Sequence, residues 1–207
     1  MPTRVPRASG TQRGARTRAE ILRAAVPLFV QNGYRGAPLA AVAVAAQMTQ
    51  PGVLHHFPSK EHLLMAVLEE RDRESREAMR EALREGGVAA LHALEDLVEH
   101  NADTPELVQL FTVLVGEAVA AEHPAHGFFV ERYEHIRHRI AHAVRHGQET
   151  GAFRSDADAE TIAAMVIAMM DGLQIQWLLD RQLDMAGSFR RFVGILRQYL
   201  GDQQPAS

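Results

Sequence analysis

His135, His138, His142 and His146 fall close to one face of a helix, and imidazoles three or four residues apart on a helix can grip a metal ion. Nothing completes that chemistry. The chain has no cysteine, carboxylates are sparse on the same face, and Arg137, Arg139 and Arg145 stand among the histidines. A solvated cationic stripe is the expected reading, with no metal site and no cofactor. Lack of cysteine also removes disulfides, thiolate centres and cysteine nucleophiles. No phosphate-cradling glycine loop and no nucleophile motif occurs, so the chain is not expected to be an enzyme. His55 and His56 belong to a segment of different character, Thr49-Gln50-Pro51-Gly52-Val53-Leu54-His55-His56.

The charge distribution says what that segment could touch. The formal net charge is −4, which alone argues against a nucleic-acid partner. Residues 1–60, however, carry eight basic side chains (Arg4, Arg7, Arg13, Arg16, Arg18, Arg23, Arg35 and Lys60) and one acid, Glu20, giving +7. The remainder holds 14 basic and 25 acidic groups, giving −11. A basic head on an acidic body suits a protein that meets phosphate with one end.

The elements that must position these residues are helical. Residues 1–15, rich in Pro, Gly, Ser, Thr and Arg, read as a mobile basic arm. Apolar residues then recur at helical spacing from Arg16 (Ile21, Ala24, Ala25, Leu28, Phe29) and stop at Asn32-Gly33. Short helices follow over 39–46 and 50–56, separated by Gln47-Met48-Thr49. Thr49 can cap the second of them, and Val53, Leu54 and Phe57 would supply its core contacts. Ser59 can cap a long helix from Lys60, apolar at Leu63, Leu64, Val67 and Leu68, then densely charged until Gly86-Gly87. Further helices are expected over 88–101, 105–121, 127–149, 157–182 and 185–200, with no strand pair. No uninterrupted apolar run approaches the ~20 residues that span a bilayer, and no secretory signal opens the chain. A cytoplasmic protein with no membrane partner is expected.

Three short helices before a long one, with a tight break between the second and third, are the layout of a helix-turn-helix DNA reader. Residues 16 to 70 closely resemble the N-terminal domain of the tetracycline-repressor (TetR) family. The likeness is carried by Ile21-Leu22-x-Ala24-Ala25 with Leu28-Phe29, Gly33-Tyr34, Leu39, Val42-Ala43 and Ala46, and most densely by Thr49 through Leu64. The chain's one lysine, Lys60, falls at the family's phosphate-contacting position. Asp171-Gly172-Leu173 resembles part of the family's helical regulatory domain. Gln47 stands where the family usually has Gly, Ala37 and Pro38 replace the usual capping Thr or Ser, and Leu54 replaces an aromatic residue, usually Tyr.

The resemblance implies an all-α fold: a basic arm (1–15), a helix-turn-helix domain (16–60) and a ligand-binding, dimerising body (61–207). It implies a homodimeric repressor of a palindromic double-stranded DNA operator, released by a small apolar or amphipathic effector. The expected DNA contacts are Thr49, Gln50, Pro51, Gly52, His55 and Lys60, with Gln50 reaching a base edge and Thr49 and Lys60 holding phosphate. Phe111, Phe129, Tyr133, Met165, Met169 and Trp177 are the expected ligand-binding residues, in an interior with few buried charges. Phe189, Phe192, Val193, Leu196 and Leu200, with Ile167, Met170, Leu178 and Leu179, form the apolar stripes expected to join two subunits. The competing reading is a helical small-molecule binder without DNA function.

Overall fold

The computed structural model describes residues 10–201. Over that span the chain forms α1 (Gly10–Gly36), α2 (Leu39–Ala45), α3 (Gln50–His56), α4 (Lys60–Glu85), α5 (Gly87–Asp103), α6 (Pro105–Ala118), α7 (His126–Glu149), α8 (Ala159–Leu179) and α9 (Met185–Leu200), with no strand among the described residues. Two compact units divide between Glu69 and Glu70, inside α4 and further along the chain than the boundary expected after residue 60. Residues 1–9 of the expected arm lie outside the described residues, and 10–15 are the start of α1.

Helix ends follow the sequence punctuation. Gly33 breaks α1 with φ 65°, a left-handed backbone that glycine adopts without a Cβ clash. Gly86, at φ 69°, separates α4 from α5; a Cβ there would also lie 2.8 Å from the His146 ring. Asp158 caps α8 by accepting from the Glu160 N–H at 3.1 Å, and Asp184 caps α9 by accepting from the Gly187 N–H at 2.8 Å. At α2 the N-cap is Pro38, which offers no side-chain acceptor.

The first unit is built on Ile21, Ala25 and Phe29, one face of α1, with Val42 and Ala43 of α2 and Val53 and Phe57 of the α3 region, all buried. Leu54, expected among them, is 37% exposed, while Val53 and Phe57 are buried. The turn between α2 and α3 closes with Met48 N–H donating to the Ala43 carbonyl at 2.8 Å, and that path forces Gln47 to φ 55°. A left-handed conformation costs an L-residue about 1–2 kcal/mol. Gln47→Gly is therefore expected to stabilise the protein by about 0.5–1 kcal/mol after the looser unfolded chain is counted. Thermal unfolding checks this; an unchanged or lower midpoint would mean the turn carries no such strain.

The second unit packs α5, α7, α8 and α9 around one apolar core that includes Leu94, Ile140, Ile162, Val166, Phe189 and Leu200. The α9 stripe proves to be part of it: Phe189, Val193, Leu196 and Leu200 are at most 5% exposed. The most apolar face of α9 is consumed within its own subunit, so these side chains cannot join two. The outward apolar residues are others: Met165, Met169, Ile175 and Leu179 on α8, and Ile195 and Tyr199 on α9. By length and composition α8 could cross a membrane, and only 22% of its apolar window is buried. Counting uninterrupted runs misses it, because Asp171, Gln174 and Gln176 interrupt the stretch. An apolar helix calls for cover on every apolar face, and the single subunit leaves Met165, Met169, Ile175 and Leu179 without it.

Candidate DNA-contacting helix and ligand cavity

The first turn of α3 is organised by Thr49. Its backbone is extended (φ −81°, ψ 152°) and its hydroxyl accepts from the Gly52 N–H at 3.2 Å, satisfying one of the helix's orphan donors. Pro51 costs nothing in this first turn. A Cβ on Gly52 would stand 3.2 Å from both the Thr49 hydroxyl and the Met48 side chain, so glycine here makes room for the cap itself. Thr49, Gln50, Pro51 and His55 are exposed, while Gly52 and Lys60 are partly buried. The His55 and His56 rings meet edge to face with centroids 5.4 Å apart.

Two cations frame the far end. The Arg18 guanidinium donates to the His56 carbonyl at 3.4 Å and lies 4.3 Å over the Phe57 ring, placing positive charge where the α3 dipole is negative. Sequence reasoning counted Arg18 only as one of eight charges; its role depends on a contact between residues 38 apart. Lys60 Nζ donates to the Arg35 carbonyl at 3.3 Å and sits 4.5 Å from the Tyr34 ring centroid. Burial, with a smaller contribution from Glu61, raises the Tyr34 phenol above its ordinary pKa. Ser59 caps α4, accepting from the His62 N–H at 3.3 Å.

A cavity of about 230 Å³ lies in the second unit among α4, α5, α6, α7 and α8. Phe111, Phe129 and Tyr133 line it, with Leu94, Val108, Ile140 and Ile167. Phe111 and Phe129 meet edge to face at 5.8 Å. The other three expected residues do not line it. Met165 and Met169 point outward, 52% and 37% exposed. Trp177 is 8% exposed within the core, with the Arg181 guanidinium 4.0 Å over its ring.

Charge enters the interior, against expectation. Arg71 is 8% and Asp72 5% exposed, both on the cavity wall. Arg71 donates to Asn101 Oδ1 at 3.2 Å, and Arg132 donates to Asp72 Oδ1 at 2.9 Å. Tyr133 donates to Asp171 Oδ2 at 2.7 Å. Burial, reinforced by the Asp171 charge, pushes the Tyr133 phenol far above its ordinary range. Burial also raises Asp171, opposed by the Tyr133 hydrogen bond and the Arg132 charge. The cavity thus has apolar walls and, where Arg71, Asp72, Arg132, Tyr133 and Asp171 come together, a polar pole whose donors meet acceptors. Asp72 and Arg71 were hidden within the charged run of α4, where alternating charges read as a solvated face.

No three His, Asp or Glu side chains converge as metal ligands among the described residues. Of the histidine stripe, His146 lies 3.8 Å from Glu149. His135, His138 and His142 line a shallow groove with Arg80, Leu83, Arg84 and Arg139.

Comparison with known proteins follows the same division. Residues 21–67 match the family of bacterial regulatory proteins named for tetR, and residues 88–204 match the C-terminal domain of BetI-type transcriptional repressors. The chain is 26% identical over 197 residues to the transcriptional regulator TtgR of Pseudomonas putida, covering 86% of this chain and 88% of TtgR. It is 26% identical over 199 residues to AcrR of Shigella flexneri, covering 89% of each. A regulator of Saccharomonospora viridis, solved in complex with choline, superposes with a TM-score of 0.74 at 22% identity, over 89% of this chain and 97% of that one.

Proposed function

We propose, for a chain that belongs to the TetR family of bacterial regulatory proteins, that it represses transcription from an inverted-repeat operator and lets go when the cavity of its second unit is filled. The chain is a DNA-binding transcriptional regulator and not an enzyme; it acts as a dimer and answers to a small molecule. The finer reading rests on the capped α3, whose exposed Gln50 and His55 lie in a segment of +7 charge. Such a helix fits a major groove, and two copies related by a two-fold axis fit two half-sites about one helical turn apart. A cytoplasmic location accords with that partner.

The roles divide by chemistry. Gln50 offers an amide to a base edge, Thr49, His55 and Lys60 offer donors to phosphate, and Pro51 and Gly52, with little side-chain bulk, let the first turn come close to the strand. Gln50→Ala is expected to relax preference at one base position by roughly 1–3 kcal/mol, whereas Lys60→Ala weakens binding to all sequences alike. Binding measured against a panel of operator variants separates the two; an unaltered preference with Gln50→Ala removes its base-reading role.

Phe111, Phe129 and Tyr133 form the aromatic wall that a ligand would meet. Helix α4 carries Lys60 in its first turn and the cavity residues Arg71, Asp72, Met79 and Leu83 further along. A ligand that favours one position of α4 would shift operator affinity through its different affinity for the two states; a coupling of ~1–3 kcal/mol gives roughly 5–150-fold loosening. The exposed apolar residues of α8 and α9 supply the dimer face. Selection from a random DNA pool tests the reading. An inverted repeat is the expected product; recovery of no symmetric site favours a helical small-molecule binder without DNA function.

A further inference from the structure

The aromatic-walled cavity and the histidine-arginine groove adjoin. Leu83 of α4 and His135 and Arg139 of α7 line both. A cationic mouth therefore stands beside an apolar interior. Arg80, Arg84, Arg139, His135, His138 and His142 surround that mouth, and among the described residues no carboxylate lines it. Glu81 pairs with Arg84 at 2.5 Å but does not line the groove. The guanidinium groups are always charged, and a protonated imidazole donates from both nitrogens.

The inner pole and the mouth differ in the charge an anion would meet. At the inner pole Arg132 is held by Asp72 and Arg71 by Asn101, and an anion placed there would face the carboxylates of Asp72 and Asp171. At the mouth an anion meets guanidinium and imidazole groups in a setting open to water. We propose that the effector is an anionic amphiphile: an apolar chain fills the cavity while a carboxylate, sulfate or phosphate head rests among the Arg and His side chains of the groove. This rests on the reading that the cavity takes the effector, and it names the class of molecule. The histidine stripe, which suggested a metal, becomes the head-group cradle.

Three probes of one chain length separate the possibilities: decanoate, decanol and decyltrimethylammonium, titrated calorimetrically into the full-length protein. Decanoate is expected to bind at least about tenfold tighter than the other two, the effect of one or two charge-assisted hydrogen bonds. Replacing Arg80, His138 and His142, all exposed, with Gln is expected to weaken decanoate about tenfold and leave decanol unchanged. Equal affinity for decanoate and decanol, tighter binding of the ammonium, or decanoate binding that ignores the triple replacement each overturns the inference while leaving the cavity reading in place. Binding of none of the three overturns it as well. In that case a chemically broad panel that also fails to shift the melting temperature brings down the cavity reading itself.

Discussion

Leu179→Glu combined with Ile195→Glu is expected to give a folded monomer whose operator affinity has fallen by at least about a hundredfold. Leu179 is 84% and Ile195 67% exposed in the single subunit, so charge at either place costs the subunit fold little. The same residues sit on the apolar surface of α8 and α9 that has no cover within one chain, where a carboxylate would be desolvated without a partner. An operator read by two heads gains its affinity from making the second contact intramolecular, an advantage of roughly 10²–10⁴ that a monomer loses. Sedimentation and DNA titration on the same sample check both halves. A double variant that stays dimeric moves the interface to another face.

The second large effect lies inside the body. Arg132→Ala is expected to cost about 3 kcal/mol of stability, because it takes the Arg132 guanidinium away from the Asp72 carboxylate, whose side chain is 7% exposed. The Arg132 side chain is itself 21% exposed, which keeps the value at the lower end of the range for a broken buried pair. The guanidinium also lies 4.7 Å over the Phe111 ring, so packing is lost along with charge. Replacing both partners with apolar residues of similar size, Arg132→Met with Asp72→Leu, should recover most of the loss. Urea unfolding of the three variants measures it. A cost below about 1 kcal/mol for Arg132→Ala would mean that the other contacts of Asp72, or water, carry its charge.

Much of the head was legible because its signals are local. The start of α3 and the Thr49 cap depend on neighbours within a few residues, and so does the strain at Gln47, which follows from a non-glycine residue in a tight turn. The body was legible as helices but not as faces. Phe189, Val193, Leu196 and Leu200 repeat at helical spacing whether they meet the subunit's own core or a second chain, and periodicity cannot tell which. Met165, Met169 and Trp177 look like pocket residues by type, yet their positions on α8 turn them outward or into the core. The Arg132–Asp72 pair was invisible for the same reason: its partners are 60 positions apart, and Asp72 sits in a run of charges that reads as solvent-facing.

The most direct measurement is operator affinity as a function of salt, followed by fluorescence anisotropy on a duplex selected from the random pool and on a scrambled duplex of equal length. The expected result is specific binding whose log affinity falls linearly with log salt, with a slope of about −0.9 for each phosphate neutralised. The scrambled duplex should show a similar slope at much weaker affinity. Binding that is insensitive to salt, or equal on the two duplexes, would contradict an operator-reading head.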